Sequence, residues 1–346
     1  MLILNYIGLW GKIVNISKNK IINISIWILG ILLTLIVFVL LIINISPRPV
    51  SYLIRKNFEK GIKTMPSNYN EYLDKVNIIR DLTYESKYKD NKADLFFPKN
   101  GNNFPVIIWV HGGAFVGGDK TDAEYYNVLL SSFGYVVLSI NYERSPESKY
   151  PNQLKQLEEV YSYLLSIASI YNIDTSKIFL AGDSAGGHMV SQFTLIQTNN
   201  NYAKEMDFKQ VIPKENIKGL LLYCGPYNVS KIKETKNKIV AFVLSNTAWS
   251  YFGTRSWSKL YGKEATIKNH ISSDFPPTFI TDGNSLSFED HAKELEEALK
   301  EKNIEVKSYY IDKKIKASHE YQFKLDTEIG MESLYLTKEF LDKHKN

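Results

Sequence analysis

Cysteine is all but missing from this chain: Cys224 is the only one among 346 residues. A lone thiol cannot close an intramolecular disulfide, and it cannot supply the paired cysteines of a structural zinc site. The histidines and carboxylates form no ligand cluster of the H-E-x-x-H kind, so neither a metal nor an organic cofactor is expected. Arginine-rich runs are absent and the net charge of +5 is spread along the length, with no nucleic-acid motif, which excludes DNA and RNA as expected partners. Internal repeats and low-complexity tracts are absent too, which excludes a solenoid. What remains is a chain with 44% hydrophobic residues, long enough for one large domain and an appendage. Its wealth of isoleucine, asparagine and lysine points to an AT-rich, bacterial genome. Its oligomeric state is not readable from sequence.

Charge is missing from one stretch altogether. From Ile21 to Ile45, IINISIWILGILLTLIVFVLLIINI, all 25 residues are uncharged, and a helix of that length extends about 37 Å, enough to cross a bilayer core. Between Ile31 and Ile43 only Thr34 interrupts the apolar surface, whereas a core helix keeps a polar stripe. A cleaved signal peptide would end in small residues, but INISPRPV follows here. The stretch is therefore expected to be an uncleaved, single-pass membrane anchor after a short N-terminal segment, 1–20. Lys12, Lys18 and Lys20 crowd its N-terminal side more closely than Arg48, Arg55 and Lys56 crowd the other. The N-terminus is thus expected inside and the rest of the chain outside the cytoplasm.

Residues 46–80 are polar, carry Pro47, Pro49 and Pro66, and are expected to be a juxtamembrane linker with some helix around Val50 to Lys60. Beyond it, in 81–346, short apolar runs bounded by turn residues alternate with helical periodicity. FPVIIWVHGG, GYVVLSINY, SKIFLAGDS, IKGLLLYCGP and PPTFITDGN read as buried parallel strands, and EVKSYYI as a further one. Helices are expected over 151–168, 185–197, 288–302 and 331–343, the third with Ser287 available as its N-cap. Such alternation predicts a mostly parallel, doubly wound α/β sheet. The aromatic-rich stretch 228–274 breaks the rhythm and is expected to be a small inserted cap.

Gly182-Asp183-Ser184-Ala185-Gly186 fits G-x-S-x-G, at the junction of a strand and a helix. Small flanking residues there permit the sharp turn that lifts a serine hydroxyl clear of the backbone. A serine is a poor nucleophile unless a base takes its proton and an acid steadies that base. It also needs donors aimed at the oxyanion. WVHGGAFVGGDK, residues 109–120, runs a strand into glycines, and the backbone N–H groups of Gly113 and Ala114, with that of Ala185, are the expected oxyanion donors.

Three motifs in matching order, HGGAF at 111–115, NYERSPESKYP at 141–151 and GDSAGG at 182–187, resemble those of the α/β-hydrolase superfamily, in particular the hormone-sensitive-lipase-like and bacterial carboxylesterase group. The resemblance covers roughly residues 80–344. It implies an α/β-hydrolase fold, and a serine carboxylic-ester hydrolase working through an acyl-enzyme. The implied base is His319, in KASHEYQF before the final helix. The acid is harder to read. The group places an aspartate three residues beyond the glycine after the seventh strand, and here that position is Leu286. Asp282, at the strand end, is the first choice; Glu289 is the alternative and Asp290 the third. Rival readings are an amidase or peptidase on the same scaffold, and a catalytically inactive binding protein. The substrate is expected to be a small-molecule, lipid or glycan ester.

Overall fold

The structure is a computed structural model that describes residues 2–58, 63–235 and 237–346. It divides into two compact units between Pro49 and Val50. The first is dominated by one long helix, α1 (Leu2–Ile45). Its segment Lys20–Ile45 is long and apolar enough to cross a membrane, properties that a signal sequence near an N-terminus shares. A second helix, α2 (Arg48–Phe58), starts the next element of the chain.

The second unit follows the order α3 (Tyr69–Leu73), β1 (Val76–Thr83), β2 (Lys92–Pro98), β3 (Phe104–Val110), α4 (Glu124–Ser132), β4 (Val136–Ile140), α5 (Asn152–Ile167), β5 (Ile173–Asp183), α6 (Ala185–Thr198), α7 (Asn200–Glu205), β6 (Ile217–Tyr223), α8 (Lys238–Phe252), α9 (Trp257–Tyr261), β7 (Thr278–Asp282), α10 (Glu289–Glu301), β8 (Val306–Tyr310) and α11 (Glu328–His344). Among the described residues eight strands form one sheet in the order β1-β2-β4-β3-β5-β6-β7-β8. β1 and β2 pair antiparallel, as do β2 and β4. From β4 through β8 every pair is parallel.

Why the central strands read as unbroken apolar runs is visible in their side chains. Val106, Ile108 and Val110 of β3 enter the core on one face of the sheet, with Leu180 and Leu222. Ile107 and Trp109 enter the core on the other, with Phe179 and Leu221. A strand covered on both faces has no polar alternation to show. Each fully buried side chain of this size contributes about 1.5–3 kcal/mol. β1 and β2, which carry more polar residues, were not legible as strands.

Within the stretch expected as a linker, described residues of α2 pack against the rest of the second unit. Val50 and Ser51 are buried, and the Ser51 hydroxyl lies 2.6 Å from that of Ser250 on α8. Arg55 donates from Nε to the Val116 carbonyl at 2.7 Å and from Nη2 to the Ser145 carbonyl at 3.0 Å, and pairs with Glu147. Polar composition hid this packing because it runs through hydrogen bonds to distant loops rather than through an apolar stripe. Residues 59 and 60 of the helix expected here lie outside the described residues. Between β6 and β7 the aromatic-rich stretch holds α8 and α9.

Candidate active site

The parallel strands end at one edge of the sheet, where the loops that follow them converge. β5 delivers Ser184 there with φ 48° and ψ −117°, a backbone conformation costly for any residue with a side chain. The turn is held by neighbours on both sides: the Ser184 N–H donates to the Tyr223 carbonyl at 2.7 Å. A Cβ at Gly186 would collide with the Val110 carbonyl oxygen, so only glycine lets α6 approach β3 this closely.

The His319 ring spans the space between Ser184 and the β7–α10 loop. Its Nε2 lies 2.9 Å from Ser184 Oγ, and its Nδ1 lies 2.7 Å from Ser287 Oγ. Ser287 gives its own proton to Asp282 Oδ1, so Ser287 Oγ accepts from Nδ1–H and the Nε2 lone pair faces Ser184. A hydroxyl therefore stands between the imidazole and Asp282, which is fully buried at the end of β7. The Phe288 N–H also donates to Asp282, at 3.3 Å. Burial pushes the Asp282 carboxyl up to about 7, although hydrogen bonds from Ser287 and Phe288 favour its ionised form. About a quarter of the His319 side chain is exposed, yet the desolvating surroundings hold its pKa down to about 4, leaving a neutral imidazole at neutral pH.

The other expected acids lie elsewhere. Glu289 pairs with Lys293 at 2.6 Å, and among the described residues makes no hydrogen bond to His319. Asp290 lines the cavity wall. Leu286, at φ 53°, is 74% exposed and lines the cavity. Ser287 does not cap α10: the helix starts at Glu289 with Phe288 at the cap position and no side-chain cap, because the serine hydroxyl is taken by Asp282 and His319. It is the residue of the site that sequence reasoning missed, since nothing in the spacing distinguishes a cap from a bridge.

Opposite Ser184, Gly113, Ala114 and Phe115 all hold positive φ, which turns the 111–120 loop back on itself. The Val116 and Gly117 N–H groups donate to the Gly113 carbonyl at 3.0 and 2.8 Å. The N–H groups of Gly113 and Ala114 meet no acceptor among the described residues, and Ala185, at the first turn of α6, has no intrahelical acceptor. Ala114, Phe115, Ser184, Ala185 and His319 line one cavity of about 200 Å³. Beneath it Asp183 accepts from Trp109 Nε1 at 2.9 Å and from the Gly112 N–H at 2.8 Å, tying the loop to the serine turn. Burial raises both Asp183 and Glu320, whose carboxyls are close enough that they resist ionising together. Among the described residues, Cys224, Asp282 and His319 bring ligand-type atoms within 4.8 Å of one another. Both His319 nitrogens are engaged, however, and burial raises the Cys224 thiol well above its ordinary value, which disfavours the thiolate a metal needs.

A family profile described as BD-FAE matches residues 93–299, well over half the chain. The chain belongs to the BD-FAE family. It is accordingly an α/β hydrolase in fold, and its solved neighbours agree: esterase B of Lactobacillus rhamnosis superposes with a TM-score of 0.71 at 17% identity, covering 86% of this chain and 96% of that one. A thermophilic carboxylesterase cloned from a metagenomic library superposes with a TM-score of 0.64 at 16% identity, covering 87% and 98%. Among curated proteins this BD-FAE member is similar to an acetyl esterase of Salmonella schwarzengrund, 25% identical over 58% of this chain and 61% of the relative. It is also similar to a probable carboxylic ester hydrolase of Mycobacterium tuberculosis, 24% identical over 53% of this chain and 41% of the relative. The chain thus spans less than two thirds of the length of these curated relatives.

Proposed function

We propose that this BD-FAE protein is a serine hydrolase of carboxylic esters, held at a membrane by its N-terminal helix. The observation that carries the reading is the 2.9 Å contact between Ser184 Oγ and His319 Nε2 at a strained turn facing a cavity. Its esterase relatives support the choice of ester as the bond cleaved.

In this reading Ser184 Oγ attacks the ester carbonyl carbon while His319 Nε2 takes its proton. The oxyanion is met by the N–H groups of Ala114 and Ala185, with Gly113 turning the loop and adding its own. The carbonyl re-forms, the C–O bond to the alcohol breaks, and His319 returns the proton to the departing alkoxide. Water, activated by the same imidazole, then cleaves the acyl-Ser184 bond. Asp282 steadies the imidazolium through the Ser287 hydroxyl: Nδ1–H donates to Ser287, and Ser287 donates to the carboxylate. Because Asp282 is rooted in β7, the bridge gives it reach without mobility. Residues 228–274 serve as the cap, whose α8 walls the cavity through Val240, Val243 and Leu244.

Lys20–Ile45 is read as a single-pass anchor in a bacterial membrane, with the catalytic unit outside the cytoplasm, on the strength of the lysines that precede it. Purified full-length chain should hydrolyse p-nitrophenyl acetate, and Ser184→Ala should not. Turnover by Ser184→Ala at the native rate would refute the assignment. Carbonate extraction should leave the chain in the membrane fraction; a mature N-terminus mapped just after Ser46 would instead make the apolar run a signal peptide.

A further inference from the structure

After its first residue, Lys238, α8 runs Ile239-Val240-Ala241-Phe242-Val243-Leu244, six apolar residues in succession. A helix lying on a protein surface needs one apolar face, and here that face is accounted for: Val240, Val243 and Leu244 line the cavity. Ile239 and Phe242, one turn apart, do not line it, and are 76% and 48% exposed. Leu286, 74% exposed, lines the same cavity, and Tyr52, 56% exposed, lies on α2 two residues before another lining residue, Ile54. An apolar surface around a mouth, left uncovered in the folded chain, marks a contact with something apolar.

Two further observations say what that is. The segment leading into α8, KIKETKNK at 231–238, holds four lysines against one glutamate, and Lys233 and Lys238 are exposed. An apolar ridge flanked by lysines is the pattern of a segment lying in the interface of an anionic bilayer. The chain also supplies the bilayer: Tyr52 is seven residues beyond Ile45, the end of the apolar run, so the backbone can separate them by no more than about 25 Å. A patch tethered this close meets the surface at a high effective concentration, and a weak apolar contact suffices to seat it.

We propose that Ile239 and Phe242, with Tyr52 and Leu286, seat the cavity mouth in the headgroup and acyl boundary of the bilayer that holds the N-terminal helix, and that the ester drawn in is an acyl ester of a lipid in that bilayer. The proposal rests on the ester-hydrolase and anchor readings above.

The test uses full-length chain in nanodiscs of phosphatidylcholine and phosphatidylglycerol. Since Cys224 is buried, a thiol introduced by Ile239→Cys or Phe242→Cys can be labelled alone with a nitrobenzoxadiazole fluorophore. Ile170→Cys is the comparison, being 67% exposed and located ahead of β5, at the sheet edge opposite Ser184. Phosphatidylcholine spin-labelled near the top of its acyl chain should quench positions 239 and 242 by more than about half and leave 170 unchanged. Equal quenching at all three, or none at 239 and 242, would overturn the seating. Blue-shifted emission that lipid fails to quench and that rises with protein per disc would give the face to a second copy, and overturn it likewise. In the same discs the double variant Ile239→Glu with Phe242→Glu should hydrolyse an embedded fluorogenic phospholipid ester at least tenfold more slowly while retaining its rate on p-nitrophenyl acetate. An unchanged phospholipid rate would overturn the substrate assignment. Failure of the unmodified chain on p-nitrophenyl acetate as well as on the phospholipid would refute the ester-hydrolase reading and the lipid substrate with it, and quenching, which needs no turnover, would still decide the seating.

Discussion

On the Nε2 side of His319, Ser184 is fixed by short-range demands: a positive-φ turn between β5 and α6, and a glycine that a neighbouring carbonyl leaves no room to replace. On the Nδ1 side, Asp282 reaches the ring through Ser287, five residues away in sequence, and His319 arrives from 32 residues farther on. One side is made by local sterics and the other by tertiary convergence. The difference teaches where sequence variation is tolerated: a turn with no spare volume dictates its residues, whereas a carboxylate can act from several positions if something bridges the gap.

That contrast predicts a graded series of losses. Ser184→Ala should cost about four to six orders of magnitude in kcat on p-nitrophenyl acetate, with the circular dichroism spectrum unchanged. Asp282→Asn should cost about a thousandfold to ten-thousandfold; a loss under about tenfold would remove Asp282 from the mechanism. Its protonation should have the same consequence. Because burial raises this carboxyl to about 7, the native kcat/KM should fall as pH drops through that value. The residual activity of Asp282→Asn should persist to lower pH, where protonation of His319, held near 4 by its surroundings, takes over as the limit. Superimposable acid limbs in the two proteins would contradict this.

Smaller effects sharpen the same comparison. Ser287→Ala removes a hydrogen bond to a group that becomes charged, which corresponds to a loss of about ten- to a hundredfold in kcat, with KM little changed; an equal rise in KM would make Ser287 a wall rather than a bridge. On the oxyanion side, Arg55→Ala frees the Val116 carbonyl and should lower kcat by less than about tenfold. Glu289→Gln, which only breaks an exposed pair with Lys293, should leave kcat within about twofold.

The legible part of the molecule follows the same division. The central strands were readable because burial on both faces leaves unbroken apolar runs, and Ser184, His319 and the 111–120 loop because small residues and motif order mark them. Asp282 was reached only as one of three neighbouring carboxylates. Its bridge escaped notice because a serine before a helix carries the same local signal whether it caps the helix or, as here, holds a histidine. The helix around 50–60 is legible, and α2 matches it; its packing is not, because Arg55 bonds to a carbonyl 61 residues away, a contact that no window of sequence contains. On the antiparallel side, β1 is largely part-exposed, and β2, although buried on both faces, has its apolar run broken by Lys92 and the buried Asp94.

The central claim is that Ser184 is an activated nucleophile rather than a small residue in a tight turn. The most direct measurement is the intact mass of the full-length chain after exposure to a fluorophosphonate, followed by peptide mapping. One adduct per chain is expected, on Ser184, formed more slowly by about a hundredfold or more in His319→Ala and absent in Ser184→Ala. A native chain that stays unlabelled, or an adduct on another serine that persists in Ser184→Ala, would contradict it.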